Sequence, residues 1–150
     1  MPVVRVYVPI GRRELDELAE QGTISADQER PRTAHAVTEA LEAQAPGLDV
    51  EDLEFAAFSE AVKDARSVRN RSTDRRLVAA ADADPAWVSP GSGEPVSAVR
   101  LVVAVPLSRI ASFHVDENDG SSRDGSSEGD PDELLWYDVT ELEDVRSLLG

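Results

Sequence analysis

The chain contains no cysteine. That excludes disulfides, zinc–thiolate sites, iron–sulfur clusters and a cysteine nucleophile. It suits a reducing compartment, and a cytoplasmic location is expected. Lysine is nearly missing as well, with one against fourteen arginines. A GC-rich genome leaves that trace, and so does adaptation to high salt; composition does not separate them. Aromatic residues make up only 5% of the chain, so alanine and valine carry much of an apolar fraction of 41%. That fraction still suits a globular domain rather than a disordered chain. No stretch approaches 18 consecutive apolar residues, so no membrane-spanning helix is expected. The opening MPVVRVYVPIGRR has no basic lead, long apolar run or small-residue cleavage site. It reads as a strand rather than a signal peptide. Phosphate loops, dinucleotide fingerprints and nucleophile elbows are also missing, as is any repeat of 20 to 50 residues.

What the chain has in excess is acid. Its net charge is −15. A field of that sign repels phosphate backbones and anionic lipid, so neither nucleic acid nor membrane is an expected partner. A length of 150 residues suits a single globular domain over 1–150.

Local patterns divide the chain into elements. Val3 to Val8 alternate as a strand, ended by Pro9 and Gly11. Arg12 to Gln21 read as a helix with Leu15, Leu18 and Ala19 on one stripe and Gly22 as its stop. TAHAVT at 33–38 is a short strand, and Thr38 caps a helix over 39–45. Asp49 caps the longest helix, predicted over 50–70, with acids in its first turn and arginines near its end. Phe55, Phe58, Val62 and Ala65 fall at spacings of three and four and predict its core face. RRLVAAAD is a strand, VSAVRLVVAV at 96–105 the expected central strand, and RIASFHVD and ELLWYDV two more. Thr140 and Glu143 have the spacing of a capping box for the last helix. Strands and helices alternate early, and strands run consecutively late. The expected fold is an α/β (α+β) two-layer sandwich. Its sheet is mixed and partly antiparallel, of about five or six strands, with helices mainly on one face.

Several constellations bear chemistry. His114 and Asp116 lie two apart on a strand and so share a face. They could form an acid–base pair or hold a metal. A lone H-x-D is more often the polar end of a strand, and His35 is the only other histidine. Between residues 63 and 76, Lys63, Arg66, Arg69, Arg71, Arg75 and Arg76 face only Asp64 and Asp74, a local charge of +4. The run could hold a phosphate or nucleotide; its plainer reading is pairing with the protein's own acids. Glu54 lies one position off the stripe of the long helix, where Arg5 is a possible partner. Trp136 and Tyr137 point to opposite faces of their strand. At least one ring should pack in the core, and ligand stacking stays open for the other.

The segment DENDGSSRDGSSEGD raises the question of calcium. A register starting at Asp116 puts Asn118 at the third position, but Gly120 where an oxygen is needed and Ser121 where glycine is required. Starting at Glu117 puts Ser122 at that glycine position. Residues 117–131 therefore read as a flexible acidic Ser/Gly-rich tether. No cofactor, metal site or catalytic residue is predicted.

Five stretches, in this order, carry a family resemblance: RVYVP at 5–9, AHAVT at 34–38, LEFAAF at 53–58, IASFHVD at 110–116 and ELLWY at 133–137. Together they resemble an uncharacterised family of small cytoplasmic proteins common in actinobacteria. The resemblance runs nearly end to end and departs at the loop after Asp116. It implies a compact single domain and brings no assigned activity. The expected function is a non-enzymatic interaction or regulatory module that binds another protein, as a monomer or small homo-oligomer. The alternative is a small enzyme or nucleotide- or anion-binding protein that uses the His114/Asp116 edge and the Arg66–Arg76 run.

Overall fold

A computed structural model describes residues 3–68, 74–91, 93–116 and 134–149. Arg69, Arg71 and the acidic segment at 117–131 lie outside the described residues. Among the described residues, nine strands and four α-helices follow in chain order: β1 (Val4–Ile10), α1 (Arg12–Gln21), β2 (Thr23–Ile24), β3 (Arg32–His35), α2 (Glu39–Gln44), α3 (Val50–Ala65), β4 (Leu77–Ala83), β5 (Val88–Pro90), β6 (Ala98–Leu101), β7 (Val105–Pro106), β8 (Ile110–Asp116), β9 (Leu134–Asp138) and α4 (Leu142–Leu149).

Seven strands form one sheet in the order β5-β6-β3-β1-β4-β8-β9, and β2 pairs with β7 in a small second sheet. Every pairing is antiparallel. The expected mixed sheet of five or six strands is therefore corrected. β2, β5 and β7 are only two or three residues long. That is too short for alternation to reveal them.

The middle strand is β1, not the apolar run at 96–105. That run breaks after Leu101: β6 pairs with β3 and β5, while Val105 leaves to pair with Ile24. β1 and β4 are apolar on both faces. Val6, Val8, Ile10, Leu77, Ala79 and Ala81 point into one core with Leu15 and Leu18 of α1 and Leu142, Val145 and Leu149 of α4. Tyr7, Val78 and Ala80 point into a second core with Leu41 of α2 and Leu53, Ala57, Ala61, Val62 and Ala65 of α3. A sheet that is apolar on both sides must be covered twice. Helices thus pack on both faces, a correction to the two-layer expectation.

Capping explains where the helices start. Thr38 and Asp49 side chains accept from the backbone N–H groups of Leu41 and Asp52. Gly22 closes α1 at φ +78°, a left-handed conformation that favours glycine. At the last helix the cap is Asp138, paired in a box with Glu141 through a 3₁₀ turn at 139–141, rather than Thr140 with Glu143. Glu143 instead pairs with Arg146.

The helix α3 ends at Ala65, shorter than predicted, and is rolled relative to the expected stripe. Its buried line is Leu53, Ala57, Ala61 and Ala65, with Val62 beside it. Small side chains dominate this contact, with Ala57, Ala61 and Ala65 of the helix sharing a core with Ala80 of the facing β4. Phe58 is only half-buried, and Phe55 is 50% exposed. The helix packs on β1, β3 and β4. That leaves its N-terminal half beside an open stretch of sheet toward β8 and β9.

Candidate functional site

That open stretch is a cleft of about 370 Å³. Antiparallel register brings its floor together. Tyr7 lies opposite Ala80, Ala80 opposite Ser112, and His114 opposite Trp136. Arg5, Glu51, Glu54, Phe55 and Phe58 complete the lining. Arg5 and Tyr7 share a face of β1, two residues apart, while Glu51, Glu54, Phe55 and Phe58 come from the first turns of α3.

The rings form a connected set. Tyr7 and Phe58 meet edge-to-face at 5.7 Å between centroids, Phe55 and Phe58 lie at 6.3 Å, and Phe58 and His114 at 4.8 Å. Trp136 stands on the edge strand β9 and is 61% exposed. An exposed tryptophan beside an exposed phenylalanine, both bordering one cleft, is an unusual concentration of wet aromatic surface.

Three ionisable groups of the cleft, Arg5, Tyr7 and His114, are either paired or shifted well away from pH 7. The Arg5 guanidinium meets Asp82 through two contacts, Nε at 2.7 Å and Nη2 at 3.3 Å. That hydrogen bonding raises its pKa further. Burial, and then the charge of Glu54, push the Tyr7 hydroxyl up to about 12. Burial, with a smaller contribution from Arg5, lowers His114 to about 4. Its Nε2 lies 3.1 Å from Ser112 Oγ. With Arg5 cancelled by Asp82 and His114 neutral, the charges left among the described residues that line the cleft are those of Glu51 and Glu54.

The sequence offered two pairs, Arg5 with Glu54 and His114 with Asp116, and three of these four residues share one site: Arg5, Glu54 and His114. The fourth, Asp116, does not line it. Asp116 is buried against Arg76, accepting from its backbone N–H at 2.6 Å and from Nε and Nη2 at 3.0 and 2.8 Å. His114 and Asp116 have these separate partners, so the acid–base pair that their spacing allowed is replaced by two distinct environments, and Asp116 is buried rather than at a solvated strand end. The described arginines of the run, Arg66, Arg75 and Arg76, do not gather at one site. Arg76 is fully buried. Arg75 donates to the carbonyls of Leu148 and Asp116, at 3.2 and 3.0 Å. Asp74 accepts from Arg12, which also donates to the Leu149 carbonyl. These bonds tie the start of β4 to the end of β8 and to the C-terminal carbonyls of α4, where cations are favourable. Arg66 is exposed just beyond α3.

A second constellation escaped the sequence reading. His35 is completely buried, with Nδ1 2.8 Å from Ser97 Oγ and Nε2 2.6 Å from Asp64 Oδ2. An ionised carboxylate only accepts, so in the neutral ring Nε2 donates to Asp64 and Nδ1 accepts from Ser97. The order Asp–His–Ser has the form of a nucleophile relay. Yet Ser97 is 1% exposed, so its hydroxyl is not presented to a substrate. The geometry is that of a strut joining α3 to β3 and to the turn before β6. Sixty-two residues separate His35 from Ser97, and no local pattern could have signalled their meeting.

Among the described residues no group of three or more His, Asp or Glu is placed to hold a metal. None of the described helices is long and apolar enough to cross a membrane. No curated protein and no solved structure matches the chain. The model of a family of unknown function, DUF6912, matches residues 4–145. The match covers both faces of the sheet and every residue of the aromatic cleft, and the chain belongs to that family.

Proposed function

We propose that the protein is a cytoplasmic, non-enzymatic interaction module that binds another protein through the cleft between α3 and strands β8 and β9. The observation that carries this reading is that Trp136 and Phe55, both at least half exposed, border one cleft in which Tyr7 and His114 are both held far from pH 7. Aromatic anchors in a partly apolar depression are the usual energetic centre of a protein interface. The surrounding backbone belongs to strands and a helix, so the rings are held with little ordering left to complete on binding.

The enzymatic alternative has one observation in its favour, the 3.1 Å approach of Ser112 Oγ to His114 Nε2. A general base works best with a pKa near the operating pH, and His114 lies near 4. An imidazole that weak is a poor acceptor for a serine proton. The anion-binding alternative required the arginine run to open on the same cleft, and Arg66, Arg75 and Arg76 are not among its lining residues.

The test is comparative capture. The wild-type chain and a Trp136→Ala, Phe55→Ala double variant, matched in melting temperature, are used as bait in cytoplasmic extract of the source cells. A protein retained by wild type and lost from the variant is the expected result. Equal retention by both baits contradicts the reading. Ester hydrolysis by the purified wild type that Ser112→Ala abolishes would restore the enzyme in its place.

A further inference from the structure

Resting on the interaction-module reading, we propose that the occupant of the cleft is an arginine side chain presented by a basic segment of the partner protein. The argument is one of charge and shape. The cleft offers flat rings, Trp136, Phe55 and Phe58, and two carboxylates, Glu51 and Glu54, on adjacent turns of one helix. Arginine stacks on aromatic faces and donates in a planar fork to carboxylates, and no other side chain does both.

Competing occupants fit less well. An anion would be drawn by Arg5 and by the N-terminus of α3. Arg5 already holds the Asp82 carboxylate through both Nε and Nη2. The first turn of α3 already carries Glu51 and Asp52, which complement the helix dipole. A neutral apolar side chain would satisfy the rings and leave Glu54 facing it. The charge of Glu54 reaches into the cleft, where it acts on both Tyr7 and Arg5. A second copy of this chain would bring another net charge of −15 to an acidic cleft, and the chain's own segment 117–131 is acidic too. Both are repelled by the field that attracts a basic partner.

The experiment uses the full-length protein and three pools of fluorescent decapeptides. Each pool has one fixed central residue, Arg, Gln or Glu, and random positions elsewhere. At low salt the Arg pool should bind at least tenfold more tightly than the Gln pool, and the Glu pool should not bind. Raising salt should weaken the Arg pool most. A Glu51→Gln, Glu54→Gln variant should lose the preference while keeping weak binding to the Arg and Gln pools, and Trp136→Ala should lose binding altogether. Equal binding of the Arg and Gln pools would overturn the arginine proposal. If that equal binding still vanished in Trp136→Ala, the interaction cleft itself would stand. Binding that Trp136→Ala does not change, or no binding by any pool, would overturn both. A wild-type dimer that Trp136→Ala turns into a monomer in light scattering would make the occupant a second copy, and the proposal would fail.

Discussion

Asp116→Ala should remove about 3–5 kcal/mol of folding stability, the range for breaking a buried ion pair from one side. Arg76 and Asp116 side chains are 1% and 0% exposed, with Nη2 and Oδ1 2.8 Å apart. Removing the carboxylate takes a charged, hydrogen-bonding partner from a guanidinium where water does not reach. It also removes an acceptor from the backbone N–H of Arg76. A typical domain has only about 5–15 kcal/mol in total, so the loss is a large share. Arg76→Met with Asp116→Leu should recover part of it, since an apolar pair leaves no buried charge, though the Arg76-position N–H still lacks its partner. Urea denaturation measures both. A loss under about 1 kcal/mol for the single variant would mean that the pair is solvated in solution.

The second large effect is a pH dependence carried by His114. In the unfolded chain this imidazole takes a proton at its ordinary pKa of 6.5, while in the fold burial holds it near 4. Between those values the unfolded state binds more protons. Stability contributed by the neutral imidazole is complete above 6.5 and is lost as pH falls toward 4. From pH 7 to pH 5 the wild type should lose about 2 kcal/mol relative to His114→Gln, which has no such proton to gain. Comparing the two proteins cancels most of the carboxylate titration they share. Parallel stability curves over that range would show that His114 is solvated, and the cleft would then contain a titrating base near neutrality.

Local chemistry in the sequence located the helices well. Thr38, Asp49 and Gly22 act as the caps and stop their residue types imply, because capping involves atoms within four residues. The stripe on α3 misled. Phe55 and Phe58 are its largest apolar side chains, but the sheet face it meets presents Tyr7, Val78 and Ala80, and the packing there takes Ala57 and Ala61 instead. Nothing within the helix encodes that choice. The apolar run at 96–105 misled for a related reason. Burial there comes from two different partners, β3 and β2, and Val103 between them is exposed. The cleft was legible only as fragments. Arg5 and Glu54 attracted notice as one possible pair and His114 with Asp116 as another, and the meeting of the three depends on the register of β1, β4 and β8, separations of many tens of residues. Trp136 was left open between core and ligand. Its place on an edge strand, beyond the reach of α3, decides that it is exposed.

The most direct test of the cleft as a binding site uses the two tryptophans. Trp136 stands in the cleft, while Trp87 packs against the core of the other sheet face under the Arg109 guanidinium, 4.9 Å from its ring centroid. With both residues replaced by 5-fluorotryptophan, the protein gives two ¹⁹F resonances, assigned by single Trp→Phe variants. Titration with the partner protein recovered by capture should shift or broaden the Trp136 resonance and leave Trp87 in place. A partner that moves Trp87 alone, or that binds while both resonances stay fixed, would contradict the account.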